Sequence, residues 1–144
     1  MADFRSSIII KKPLQEVFQY MVDMENATEV MVNVVEVEKI TEGPIGAGTK
    51  YLETRSIRGK KAKAEIEYTQ FEENQSYTAS SEVNGLEVTY YYQFHEVEEG
   101  THVEFEANIH TTGLFMKLTK PFIVNIIRKE DGNHLQYVKE ALEK

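Results

Sequence analysis

Apolar and polar residues follow two different periods along the chain, and the period changes near residue 34 and again near residue 112. Residues 4–11, FRSSIIIK, read as a first strand. Pro13 then suits the first turn of a helix, because its missing N–H would be unpaired there in any case. Leu14, Val17, Phe18, Met21 and Val22 recur at spacings of three and four and form one apolar helical stripe. Asn26 followed by Glu29 has the shape of a capping box, which predicts a second, short helix from about Ala27 to Asn33.

From Val34 to about Thr112 the pattern alternates. Ala62, Ala64, Ile66 and Tyr68 stand against Lys61, Lys63, Glu65 and Glu67, and Val103, Phe105, Ala107 and Ile109 against His102, Glu104, Glu106 and Asn108. One face is buried and the other wet, as in an antiparallel sheet covered on one side. Turn residues at Glu42-Gly43, Arg58-Gly59-Lys60, Glu73-Asn74, Asn84-Gly85 and Glu99-Gly100 mark about five hairpins. After Thr112-Gly113 a broad helical stripe runs through Leu118, Phe122, Ile123, Ile126, Ile127, Leu135, Val138 and Leu142, with Pro121 and Gly132 as points of weakness. This closing helix is expected to lie across the apolar face of the sheet. The predicted class is α+β: a strand, two short helices, about six more antiparallel strands and a long helix.

The stretch GPIGAGTKY (residues 43–51) has the glycines of a phosphate cradle. A phosphate loop needs Lys followed by Ser or Thr and then a helix whose positive end meets the anion. Here Thr49 precedes Lys50 and a strand-like run follows, so the stretch reads as a hairpin loop.

Composition narrows the function. At 144 residues the chain fits one domain, 1–144, long enough to bury a core without staples. The absence of cysteine removes disulfides, thiolate metal sites and cysteine nucleophiles, and agrees with a cytoplasmic location. Ile8-Ile9-Ile10 is too short for a signal core, and no run approaches the roughly 20 apolar residues of a membrane span. A formal charge of −8 repels a phosphate backbone, so no nucleic-acid partner is expected.

The order of elements resembles the helix-grip fold of the START-like superfamily (SRPBCC), which includes lipid binders and polyketide cyclase-like proteins. The resemblance spans essentially the whole chain. It rests on Ile10, Pro13, Val17-Phe18, Tyr20, Asp23, Asn26, Val34-Val35-Glu36-Val37, the 43–49 loop, Arg58-Gly59, and the last helix with Leu135, Val138-Lys139 and Leu142-Glu143. Relatives often carry Trp near the position of Met31, where this chain departs. The resemblance implies a curved sheet of about seven strands gripping the closing helix, with a cavity between them for a small hydrophobic ligand.

Leu86, Val88, Tyr90, Tyr92 and Phe94 alternate on one strand and read by themselves as core; with the cavity the resemblance implies they equally form a ligand wall, where a buried tyrosine hydroxyl needs a partner. Tyr51, Tyr68, Tyr77, Ile66 and Phe105 on other strands, and Phe122 and Ile127 on the closing helix, extend the expected wall. Arg55 shares a strand face with Glu53 and Tyr51. It forms either a wet surface pair, the favoured reading, or an inner clamp for a carboxylate or carbonyl. Arg128 and Asp131 stand one helical turn apart, and an exposed pair is expected there too, although Asp131 could border the cavity.

None of the four histidines, His95, His102, His110 and His134, sits in a tight ligand spacing, and His102, Glu104 and Glu106 share a solvent face. No serine nucleophile motif occurs. No catalytic residue, metal or cofactor is therefore expected. The leading expectation is a binding or transport module for a lipid, quinone or polyketide-like molecule. Its alternatives are a cyclase or dehydratase using pocket Tyr, Arg or Asp as acid or base, and a stress-response adaptor acting through its acidic outer surface. Closure of the cavity by a second copy is a further arrangement left open.

Overall fold

The computed structural model describes residues 2–57 and 59–144. Arg58, which carries part of one predicted turn and of the resemblance, lies outside them. Strand β1 (Phe4–Ile10) leads into helix α1 (Leu14–Val22), one 3-10 turn (Met24–Asn26) and helix α2 (Ala27–Val30). Six strands follow: β2 (Val34–Lys39), β3 (Lys50–Ile57), β4 (Lys60–Glu72), β5 (Ser76–Val83), β6 (Leu86–Val97) and β7 (Gly100–Thr111). Helices α3 (Leu114–Asp131) and α4 (His134–Leu142) close the chain.

The strands form one sheet in the order β1-β7-β6-β5-β4-β3-β2, antiparallel throughout. β1 and β2 therefore stand at opposite edges, about 29 Å apart if the sheet were flat. The segment with α1 and α2 makes that crossing over one face, and the sheet curls around it. A bulge between Tyr68 and Gln70 bends the long strand β4.

The predicted alternation holds. Phe94, Val103 and Phe105 are buried, while His95 and Glu104 face outward and approach each other at 3.6 Å. Phe18 of α1 presents its ring to Phe94, Phe71 and Tyr77 at centroid distances of 5.0, 5.5 and 6.0 Å. The glycine loop joins β2 to β3 as a hairpin. Gly48 N–H donates to Tyr68 O of β4 and Gly46 N–H to Thr49 Oγ1 within the loop, so both amides are taken up by the fold. Asn84 and Gly85 have φ of 51° and 84°, the two positive values a type I′ turn requires.

Three expectations change. The second helix ends at Val30 rather than Asn33, and Asn26 does not cap it: its amide donates to Tyr20 O, while Asp23 caps the preceding 3-10 turn through Glu25 N–H. The long closing helix is bent into two at Gly132. Its apolar stripe is also wider than the face it buries: Leu118 and Phe122 are 74% and 67% exposed, while Ile127 packs against the core. A straight helix can seat a stripe only about 100° wide on a sheet. Among the described residues no helix is long and apolar enough to cross a membrane.

Candidate functional site

A cavity of about 450 Å³ lies between the inner face of the sheet and the helices, within the roughly 300–1,000 Å³ of small-molecule sites. Its origin is local. Where other inner positions carry Tyr or Phe, β4 and β5 present Ala62, Ala64, Ala79 and Ser81, and these short side chains leave the volume unfilled. Ile66, Tyr68, Tyr77, Leu86, Val88, Tyr90 and Tyr92 form the remaining strand wall, and Met21, Met24, Val30 and Met31 contribute from the helical crossing. Ala62, Lys63 and Val83 are solvent-exposed, so the cavity reaches water at the end of the sheet that carries the β3–β4 and β5–β6 turns.

Against this apolar wall stands a charged cluster, and Asp23 and Lys63 add single charges elsewhere in the lining. Glu53 and Arg55, two residues apart on β3, both face inward. Arg55 Nε donates to Glu53 Oε1 at 2.6 Å and Nη1 to Asp131 Oδ1 at 2.8 Å, with Glu130 Oε2 at 3.7 Å. The Tyr90 hydroxyl donates to Asp131 Oδ2. Burial opposes the Arg55 cation, but the charges of Asp131 and Glu53 outweigh it and hold its pKa above the ordinary arginine value.

The bend at Gly132 builds the second half of the site. It ends α3 at Asp131 and starts α4 at His134, so both turn inward and are buried. His134 Nδ1 lies 2.6 Å from Asp131 O and Nε2 lies 3.0 Å from the Tyr92 hydroxyl. A carbonyl only accepts, so Nδ1 carries the proton; in the neutral ring Nε2 then accepts from Tyr92. Burial keeps His134 neutral by lowering its pKa, more than the Asp131 charge raises it.

Burial likewise raises Tyr77, Tyr90 and Tyr92, which stay protonated as hydrogen-bond donors. Tyr77 stacks on Tyr92 at 4.6 Å, and its hydroxyl makes no hydrogen bond to another described residue.

Of the expected wall, Arg55, Ile66, Tyr77, Tyr90, Tyr92, Ile127 and Asp131 line the cavity. Tyr51, Phe94 and Phe105 are buried in the core outside its lining, and the Tyr51 hydroxyl points to Val22 O at 3.4 Å. Phe122 lies on the solvent side of α3. Arg55 does pair with Glu53, but inside rather than at the wet surface, and Asp131 joins them there; the expected exposed pair of Arg128 with Asp131 does not form, and Arg128 instead donates to Asn125 Oδ1. Neither the Asp131 pairing nor the role of His134 follows from spacing, because Arg55 and Asp131 are brought together from 76 positions apart. The one sequence signal for His134 is its place one turn after Asp131 on the inward stripe.

Among the described residues no group of three or more His, Cys, Asp or Glu is placed to hold a metal ion.

Solved structures match closely in shape. Ara h 8.0201 superposes with a TM-score of 0.73 at 17% identity, over 98% of this chain and 97% of that one. TTHA0849 from Thermus thermophilus gives 0.73 at 19%, over 94% and 93%. The di-domain ARO/CYC StfQ of the steffimycin biosynthetic pathway gives 0.79 at 9%, over 95% of this chain and 49% of that one. At such identities the likeness is one of fold. No curated protein sequence gives a significant match. A family model described as polyketide cyclase/dehydrase and lipid transport matches residues 1–143, so the chain belongs to that family, of START-like (SRPBCC) type.

Proposed function

We propose that residues 1–144 act as one binding domain that holds a small hydrophobic or aromatic molecule with a lipid, quinone or polyketide-like body. The observation that carries this reading is the cavity of about 450 Å³, largely apolar on its strand and helix walls, with its buried charges gathered around Arg55. Burying apolar ligand surface there returns about 25 cal/mol per Å², and the Arg55 cluster and the Tyr77 hydroxyl orient the polar end. The family's description includes lipid transport, which supports the same reading. A cytoplasmic carrier without a nucleic-acid partner fits a cysteine-free chain of charge −8.

The alternative, acid–base catalysis of the cyclase type, draws support from the likeness to an ARO/CYC fold. It would need a pocket group free to move a proton. Asp131 has both oxygens engaged, by Arg55 and Tyr90, and His134 has both nitrogens engaged, while the free hydroxyl of Tyr77 is held protonated by burial, which raises its pKa and makes it a poor acid. The geometry therefore favours holding over reacting.

Titration of a solvatochromic dye, followed by displacement with fatty acids, quinones and aromatic polyketides, tests the reading. Saturable binding at one site per chain is expected. Ala64→Trp, which fills the cavity from β4, is expected to weaken it by about tenfold or more while the chain stays folded. Absence of saturable binding across the series, or unchanged binding in the filled variant, overturns the proposal.

A further inference from the structure

The charged cluster is unbalanced. Three carboxylates, Glu53, Glu130 and Asp131, gather on one guanidinium, Arg55; Glu130 is 26% exposed and also accepts from Asn33 Nδ2, so the buried pair Glu53 and Asp131 against Arg55 leaves one formal negative charge inside. Glu53 and Asp131 are buried, their side chains 7% and 6% exposed. His134 adds no positive charge, because burial holds it neutral. An uncompensated buried charge is costly unless a partner arrives.

Two further observations point to what that partner is. The Tyr77 side chain is 5% exposed, lines the cavity, and its hydroxyl is unpartnered by any described residue. Tyr20, Tyr68, Tyr77, Tyr90 and Tyr92 also line the same cavity. Tyrosine rings attract a cation brought within about 6 Å of their centres, and more strongly where water is excluded. A carboxylate-rich corner next to tyrosine rings is the chemistry that recognises an organic cation. It is a poor seat for a fatty-acid carboxylate, which would have to share Arg55 with anions already bound to it.

We propose that the polar end of the ligand is a cationic nitrogen, an alkyl- or aryl-ammonium group seated between the Glu53–Arg55–Asp131 cluster and the tyrosine wall. This rests on the reading of the cavity as a hydrophobic-ligand site and names the class of ligand within it. The Tyr77 hydroxyl then serves a neighbouring oxygen or π-face of the ligand.

Three ligands of equal chain length separate the possibilities: decyltrimethylammonium, decanol and decanoate, each titrated against the full chain at pH 7 by calorimetry below its micelle concentration. The ammonium ligand is expected to bind about tenfold more tightly than the alcohol, with decanoate the weakest. Raising the salt should narrow the gap between ammonium and alcohol only slightly, because a buried charge is poorly screened. In Glu53→Gln the ammonium ligand should lose more affinity than the alcohol, so that the preference between them falls. The series on the unsubstituted chain stands without that variant if it does not fold. Decanoate binding as tightly as the ammonium ligand, or alcohol and ammonium binding equally, overturns the cation assignment and leaves the hydrophobic-site reading intact. Failure of all three to bind overturns both.

Discussion

At the scale of residues, the site turns on two side chains whose chemistry is set by burial. Arg55 is 19% exposed and neutralises carboxylates that would otherwise be stranded. Arg55→Met removes the cation and keeps most of the packing volume. It is expected to cost about 3 kcal/mol in urea unfolding; a loss below about 1 kcal/mol would show that water already solvates Glu53 and Asp131. His134 gives a pH dependence of known sign. Burial lowers its folded-state pKa below the ordinary 6.5, against which Asp131 pulls upward, so below that value the unfolded chain binds more protons than the folded one. Stability is therefore full above about pH 7 and falls as the pH drops through 6.5 toward the lowered folded value. His134→Gln should flatten that part of the stability profile, and an unchanged slope would assign it to another group. The inward facing of Tyr90 and Tyr92 was readable from the strand period, whereas Asp131 was expected in an exposed pair and is buried instead. Which charges they meet was not readable, because period reports which side a residue faces and says nothing of its neighbour across the cavity.

At the scale of elements, the turns tie the sheet together at points where a side chain does not fit. Gly100 opens β7 at φ +147°, and a Cβ there would stand 2.3 Å from Ile10 O, where the end of β1 meets the β6–β7 turn. Gly100→Ala should destabilise by about 2 kcal/mol or more. Gly43, at φ +92° with open space around it, should lose about 1 kcal/mol from backbone strain alone. Equal losses for the two would mean that the β1 contact yields easily, and thermal melts of both variants decide the point. On α3, Phe122→Ser should change stability by no more than about 0.5 kcal/mol, since the ring is 67% exposed. The hairpins were legible because Asn-Gly and its kin have specific backbone needs. The break at Gly132 was visible as a weak point, yet its consequence was not: it ends one helix at Asp131, begins another at His134, and so aims two polar groups into one cavity.

At the scale of the whole molecule, binding and stability are linked, because a ligand held by the folded chain alone shifts the unfolding equilibrium. A ligand at about one hundred times its Kd should add about 2.7 kcal/mol and raise Tm accordingly. The same concentration should leave the Tm of Ala64→Trp unmoved, and an equal rise in both would place binding outside the cavity. The sequence by itself determined the order of elements, the antiparallel sheet with one wet face, most turns and the apolar stripe of the closing helix, because these follow from local periods and backbone preferences. It also carried the family resemblance. The tertiary structure alone decided that Ala62, Ala64 and Ala79 coincide to open a cavity, that Arg55 is an inner rather than a surface charge, and that Phe122 lies outside it. The physical reason is the same in each case: a cavity and a buried ion cluster are sums over residues far apart in the chain, and their signs are set by which side chains the sheet's curl and the helix bend bring within a few ångströms.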